Sequence, residues 1–155
     1  GRRVAAGVGR VVRPVTAAAP RRLGLLGILL AGAGAAIASY LTVVKLAGEL
    51  PACGPLRGCE TVATSSYSEL AGIPTAAFGV GLSLLLVGAQ LAWWRLGDRR
   101  GLVAAYGLGL AGLVVVGYLT YLELFVIGSV CVWCVAYAVT IVGGWIAAAL
   151  ALRET

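Results

Sequence analysis

The chain has 155 residues, of which 61% are hydrophobic and 12% charged, and its formal net charge is +6. So few charges over this length exclude an ordinary soluble domain and indicate a polytopic membrane protein. The sequence contains no histidine. That absence excludes Ser-His-Asp catalysis, histidine-ligated haem and histidine-containing zinc sites.

The first predicted region is a basic, weakly structured leader over residues 1–22. We interpret it as a cytoplasmic tail, because cytoplasmic segments of membrane proteins carry an excess of lysine and arginine. A targeting role or binding to anionic lipids is the alternative. Its basic residues are Arg2, Arg3, Arg10, Arg13, Arg21 and Arg22.

The first predicted membrane span covers about residues 23–44, an uncharged run long enough to cross a bilayer. Ala36-Ile37-Ala38 resembles a signal-peptidase site, so a cleaved signal is the rival interpretation. The run is too long for an ordinary signal core and stays apolar beyond that tripeptide. Small residues four apart in this span favour close contact with another helix.

A polar segment, residues 45–72, follows the first span and contains Cys53 and Cys59. Proline and glycine around the two cysteines indicate turns. Residues 60–70 place apolar side chains on one face at helical spacing. We therefore predict a short helix there, lying on the outer face of the membrane.

Three further apolar runs predict spans at about 75–94, 102–127 and 130–150, with Pro74 in the first turn of the second helix. The third run is rich in glycine, which favours close helix packing. The predicted fold is all-α. It is a four-helix transmembrane bundle over residues 23–150, followed by a cytoplasmic tail at residues 151–155.

The positive charges give the bundle an orientation. Four spans place both termini on one side, together with the basic 95–100 loop and Arg153. Only Lys45 and Arg57 fall on the other side. By the positive-inside rule, both termini are cytoplasmic and all four cysteines face outward. In the inner (cell) membrane of a bacterium that side is oxidising, which permits disulfides.

Residues 128–134 open the fourth run with a Cys-x-x-Cys. We predict Ser129 as the N-cap of the helix and Cys131 in its first turn, where free N–H groups favour a thiolate. Cys134 then lies one turn, about 4.5 Å, deeper. One cysteine near water and one in the apolar zone suit a relay between a water-borne thiol and a lipid-borne oxidant.

Two other interpretations of the cysteines stay open. The four residues could form two structural disulfides in a protein without enzymatic activity. They could also bind one zinc ion, which would need both pairs fixed together.

The motifs of the chain resemble those of the vitamin K epoxide reductase family, in its bacterial form, from about residue 23 to residue 150. They occur in the family's order and spacing: Ser39-Tyr40-Leu41-Thr42, Cys53…Cys59, Ser65-Ser66-Tyr67, Gly72-Ile73-Pro74, Phe78-Gly79, Tyr121-Leu122-Glu123 and Cys131-Val132-Trp133-Cys134.

The resemblance implies an enzyme, a quinone-dependent thiol-disulfide oxidoreductase that supports disulfide-bond formation. Cys53 and Cys59 would carry electrons to Cys131 and Cys134, and these would pass them to a quinone, menaquinone or ubiquinone. The implied partner is a thioredoxin-like disulfide oxidase on the periplasmic side. Lipid surrounds the bundle, and no nucleic-acid partner is expected. Thr75 stands where animal members carry asparagine, so ordinary quinone reduction is expected rather than vitamin K epoxide chemistry.

Six further residues are candidates for the quinone site. Ser65 is a candidate hydrogen-bond donor to a quinone oxygen, and an ordinary helix-surface serine is the alternative. Glu123 is the one acid near a span and a candidate proton carrier, although it could be merely interfacial. The candidates for the ring pocket, each of which could instead be plain packing, are Tyr67, Phe78, Ile127 and Tyr137.

Overall fold

The computed structural model describes residues 18–55 and 57–155. In that part of the chain, four helices are long and apolar enough to cross a membrane. The predicted four-helix membrane bundle is therefore confirmed. The helices are α1 (Ala18–Leu46), the short α2 (Gly58–Ala63), α3 (Thr75–Leu96), α4 (Arg99–Tyr121) and α5 (Val132–Glu154).

The four long helices form a closed ring of neighbours. α1 packs against α3 and α5, and α4 packs against the same two helices, so α1 and α4 lie diagonally opposite. Large apolar side chains cover the outside of the bundle, as lipid contact requires. Leu29, Leu85 and Val114, for example, are each more than half exposed.

Small residues let the helices approach closely, as predicted. A β-carbon at Gly34 of α1 would lie 2.8 Å from the hydroxyl oxygen of Thr140 on α5. A β-carbon at Gly109 of α4 would lie 3.1 Å from the ring of Trp145 on α5. Larger residues at these two glycines would push the helices apart.

The bundle is packed differently at its two ends. Near the α3–α4 turn, Leu102, Ala105, Ala148 and Ala151 are at most 1% exposed and form one cluster. The opposite end, which carries the cysteines, encloses a cavity. The fold therefore seals one end and leaves space at the other.

The helix bounds differ from the predicted spans mainly at the termini. α1 begins at Ala18, so residues 18–22 of the predicted leader are helical, and residues 1–17 lie outside the described part. α5 runs to Glu154, through most of the predicted tail. Pro74 is the N-cap of α3 rather than a residue of its first turn.

A single outer helix over residues 60–70 is not confirmed. α2 ends at Ala63, because hydroxyl groups then bond to the preceding backbone: Thr64 donates to the Glu60 carbonyl at 2.8 Å and Ser65 to the Val62 carbonyl at 2.7 Å. A 3₁₀ turn (Ser66–Ser68) and a small antiparallel hairpin follow, with strands β1 (Glu69–Leu70) and β2 (Ile73–Pro74). This segment, residues 58–74, is called the cap below.

Candidate active site

The backbone before α5 places Cys131 at the start of the helix. α4 continues as a π-helix over Leu122–Ile127, and Gly128 ends it in a left-handed conformation with φ of 70°. The N–H of Ser129 donates back to the Glu123 carbonyl at 3.0 Å. Ser129 thus closes the preceding turn, and the predicted N-cap at Ser129 is wrong. Cys131 itself is the N-cap of α5.

Cys131 is 2% exposed and lies beside a buried acid. Its N–H donates to the carboxylate of Glu123 at 3.3 Å, and Glu123 is 5% exposed. A hydrogen bond from the Cys134 thiol and the N–H groups of Cys134 and Trp133 lower the pKa of the Cys131 thiol from 9.0 to about 7. Burial and the charge of Glu123 oppose this shift. Cys131 is therefore a good leaving group in thiol–disulfide exchange.

The loop cysteines form a disulfide, with their Cα atoms 6.0 Å apart. The two residues differ in access. Cys59 is fully buried and lines the cavity, whereas Cys53 is partly exposed. Cys131 and Cys134 are free thiols and line the same cavity. Three of the four cysteines therefore line one cavity, and the fourth is partly exposed.

Backbone packing brings the two cysteine pairs together. Gly58, directly before Cys59, lies against the backbone of Val130, directly before Cys131. A β-carbon at Gly58 would overlap the Val130 carbonyl oxygen and would lie 2.9 Å from its carbonyl carbon. Only glycine allows α2 to sit this close to the start of α5.

The cavity has a volume of about 360 Å³, which is in the range of small-molecule sites, about 300–1,000 Å³. The cap covers it at the cysteine end of the bundle, and Cys134 and Tyr137 line it from α5. Its apolar walls come from α1, α3 and α4 and include Leu41, Phe78, Leu82, Val115, Val116 and Leu119. An apolar space with a few polar groups suits a flat, hydrophobic ring.

All six candidates for the quinone site line this cavity: Ser65, Tyr67, Phe78, Glu123, Ile127 and Tyr137. Two of their hydroxyl groups already have protein partners. Ser65 donates to the Val62 carbonyl, and Tyr137 donates to the Gly79 carbonyl at 3.0 Å. The structure thus brings the predicted residues together, while their roles toward a ligand stay predictions.

The sequence model of the Vitamin K epoxide reductase family matches residues 25–149, nearly the whole chain. The chain belongs to the vitamin K epoxide reductase family. It is accordingly a membrane thiol–disulfide oxidoreductase, and the family uses quinones in its redox cycle. In this family member the loop pair is oxidised and the Cys-x-x-Cys pair is reduced.

The sequence analysis of this vitamin K epoxide reductase family member missed Lys45, which lies at the end of α1 and lines the cavity. Its ammonium group donates to the Ala63 carbonyl at 2.7 Å and to the Ser68 hydroxyl at 3.0 Å, and it lies 3.6 Å from Glu69. Lys45 therefore fastens the cap to α1. Lys45 is the only lysine of the chain, and this was the feature of the sequence that could have pointed to a special role for it.

Proposed function

We propose that this protein oxidises a soluble dithiol protein and passes the electrons to a membrane quinone. One observation carries the proposal. Cys59, Cys131 and Cys134 line a single apolar cavity inside a membrane bundle, and the disulfide partner of Cys59 is accessible from outside. An entry cysteine, three internal cysteines and a hydrophobic site in this order form a relay.

The first exchange takes place at the loop disulfide. A thiolate of the reduced partner attacks Cys53, because Cys53 is the accessible sulfur of the pair. The Cys53–Cys59 bond breaks, and Cys59 leaves as a thiolate. The second thiol of the partner then attacks the mixed disulfide, which releases the oxidised partner and leaves both loop cysteines reduced.

The second exchange moves the electrons inward. The Cys59 thiolate attacks Cys131 of the Cys131–Cys134 disulfide, so a Cys59–Cys131 bond forms and Cys134 leaves as a thiolate. Cys53 then attacks Cys59, which restores the loop disulfide and releases Cys131. The product of this exchange, an oxidised loop pair with a reduced helix pair, has the same pairing as the structure.

The last step returns Cys131 and Cys134 to a disulfide and requires an acceptor of two electrons and two protons. A quinone, menaquinone or ubiquinone, supplies that capacity when bound. Cys134 lines the cavity, and in this proposal it is the residue that faces the ring. Glu123, whose carboxylate accepts the Cys131 N–H, is the nearest acidic group and carries a proton from the thiols to the quinone in this proposal.

Ser65 is the polar group of the cap assigned to a quinone oxygen. Its hydroxyl donates to Val62, so it offers a lone pair to a quinol hydroxyl in that orientation. Rotation away from Val62 makes it a donor to a quinone oxygen. Tyr67, Phe78, Ile127 and Tyr137 pack around the ring in this proposal.

Purified protein tests this reaction directly. With dithiothreitol and a soluble quinone, the wild-type protein is expected to reduce the quinone catalytically, as followed by its ultraviolet absorbance. Cys134→Ala is expected to abolish turnover, and Trp145→Phe, far from the cysteines in the same helix, is the control. Full turnover in Cys134→Ala would refute the relay.

The rival interpretations make different predictions for the same sample. Structural disulfides give no turnover with any quinone. A four-cysteine zinc site requires all four sulfurs as thiolates, whereas the loop cysteines are joined to each other. A stoichiometric metal in the purified protein, together with absent turnover, would favour the zinc site.

We place both termini in the bacterial cytoplasm and the four cysteines on the extracytoplasmic face, because Arg95, Arg99, Arg100 and Arg153 lie at the opposite end from the cysteines. A membrane-impermeant maleimide added to intact, reduced cells is expected to label Cys53. A cysteine introduced at Thr155 should be labelled only after the cells are broken, and the reverse pattern would overturn this orientation.

The soluble partner is a thioredoxin-like disulfide oxidase in this proposal. When Cys59 is replaced by alanine, the Cys53 thiolate should attack the disulfide of the oxidised partner. One partner sulfur then joins Cys53 and the other leaves as a thiolate, and no Cys59 is present to displace the partner. The complex is trapped by acid quenching and identified by mass spectrometry. Trapping in Cys53→Ala instead would move the entry point to Cys59.

A further inference from the structure

Two aromatic residues form hydrogen bonds with the backbone of Ala52, the residue directly before Cys53. The N–H of Ala52 donates to the hydroxyl oxygen of Tyr40 at 3.1 Å. The carbonyl of Ala52 accepts the indole N–H of Trp133 at 2.9 Å. The two rings pack on each other with centroids 5.0 Å apart and planes at 47°. Ala52, Tyr40 and Trp133, joined by these contacts, are here called the Ala52 clamp.

The clamp joins three separate parts of the relay. Tyr40 lies in α1, and Trp133 is the residue between Cys131 and Cys134. Ala52 leads directly into the loop disulfide. A hydrogen bond that spans 81 positions therefore ties the entry cysteine to the internal pair.

The clamp supplies backbone hydrogen bonds to a segment that has no regular secondary structure. Residues 49–53 have no regular secondary structure, and Ala52 is exposed. Glycine at position 54 adopts φ of 59°, and Pro51 and Pro55 flank the cysteine. On the other side of the disulfide, Gly58 packs against Val130. The clamp and this glycine contact together hold the disulfide at both ends.

We propose that Tyr40 and Trp133 are positioning residues that hold the loop pair in register with the Cys-x-x-Cys pair through the backbone of Ala52. This inference rests on the proposed relay. The step they support forms the Cys59–Cys131 bond, breaks the Cys131–Cys134 bond and releases Cys134 as a thiolate. Its rate depends on how often Cys59 occupies the attack geometry, and fixing a reacting pair greatly raises its effective concentration.

The test measures that effective concentration without any quinone. In a Cys53→Ala/Cys134→Ala background only Cys59 and Cys131 remain, and they form one disulfide in exchange with reduced and oxidised glutathione. The disulfide fraction is read by alkylation with a heavy maleimide and gel shift. Trp133→Phe removes the donor and Tyr40→Phe removes the acceptor, while both variants keep an aromatic ring at the position.

Each substitution is expected to lower the effective concentration about fivefold, which corresponds to about 1 kcal/mol, and the double variant should lower it further. Trp145→Phe and Tyr118→Phe are matched controls away from the loop. An effective concentration within about twofold of the background in the double variant would overturn the proposal. So would an equal fall in the controls.

The result is independent of the proposed function, because the exchange needs neither quinone nor soluble partner. If the wild-type protein fails to reduce a quinone, the proposed relay is wrong, but the measured effect of the clamp on the effective concentration remains valid. Thermal unfolding midpoints are recorded for the same samples. A fall in effective concentration at an unchanged midpoint supports positioning, whereas a fall that only parallels loss of the midpoint shows a merely structural role.

Discussion

Gly58 and Val130 touch through their backbones, and each residue directly precedes a cysteine of the relay. This contact brings the fully buried Cys59 to the start of α5, where Cys131 is also buried. Cys59 of α2 and Cys131 at the N-cap of α5 thereby line the same cavity.

Gly58→Ala should separate the two pairs, because its β-carbon would overlap the Val130 carbonyl. We expect the rate of quinone-coupled oxidation of the soluble partner to fall about ten- to a hundredfold, because small misplacements of reacting groups slow reactions by factors of this size. Steady-state turnover measures this. Gly117→Ala is the control, since its β-carbon would meet nothing within 4 Å. Equal activities in the two variants would contradict the role of this contact.

The reduced helix pair should ionise near neutral pH. The Cys134 thiol is the main cause of the lowered pKa of Cys131, about 7. The thiolate of Cys131 therefore dominates above about pH 7, and the thiol dominates below it. Ultraviolet absorbance of thiolate in a Cys53→Ala/Cys59→Ala background measures this midpoint.

Adding Cys134→Ala to that background should move the midpoint upward, toward 9.0, because the hydrogen bond from the Cys134 thiol is lost. Serine at position 134 keeps a donor and should restore part of the shift. A midpoint that stays the same in the alanine variant would show that Cys134 does not stabilise the thiolate.

Glu123→Gln is expected to lower the pKa of Cys131 and also to slow quinone turnover. The charge of Glu123 raises the pKa of Cys131, so its removal should lower that pKa further. The amide oxygen can still accept the Cys131 N–H. Quinone turnover should nevertheless fall about a hundredfold, the usual size of a general acid–base contribution. Glu60→Gln, on the exposed side of α2, is the control.

A substitution in the cavity wall should weaken quinone binding. Val115 of α4 lines the cavity, whereas its neighbour Val114 is 69% exposed and faces outward. Val115→Phe narrows the cavity, and we expect KM for the quinone to rise about tenfold, or about 1.4 kcal/mol. Val114→Phe should leave KM within about twofold. Similar values for the two variants would place the quinone elsewhere.

Lys45 should control the opening of the cap. Its two hydrogen bonds are charge-assisted and partly buried, and such bonds contribute about 1.5–3 kcal/mol each. Lys45→Met is expected to speed hydrogen exchange of residues 63–69 at least about tenfold. Glu69→Gln should have little effect, because exposed ion pairs contribute about 0–1 kcal/mol. Hydrogen exchange in Lys45→Met that is as slow as in the wild-type protein would show that other contacts hold the cap.

The sequence predicted the membrane spans well and the local geometry near the cysteines less well. A run of about twenty apolar residues is long enough to cross a bilayer as one helix, so four such runs predicted a four-helix bundle. The start of α5 depended on tertiary contacts instead. Ser129 has the better N-cap propensity, but the π-helix and the Glu123 carboxylate move the helix start to Cys131. Likewise, the Ala52 clamp joins residues far apart in sequence, which local patterns do not show.

The cavity is walled on one side by Phe78 of α3 and Val115 of α4, and each of these is 51% exposed to the surroundings of the bundle. These two side chains therefore separate the cavity from the lipid around α3 and α4. In the proposed reaction the quinone ring occupies the cavity, and its isoprenoid tail passes between these side chains into the bilayer. Tail length should then have little influence on selectivity, and the same site should accept quinones that differ only in their number of isoprene units.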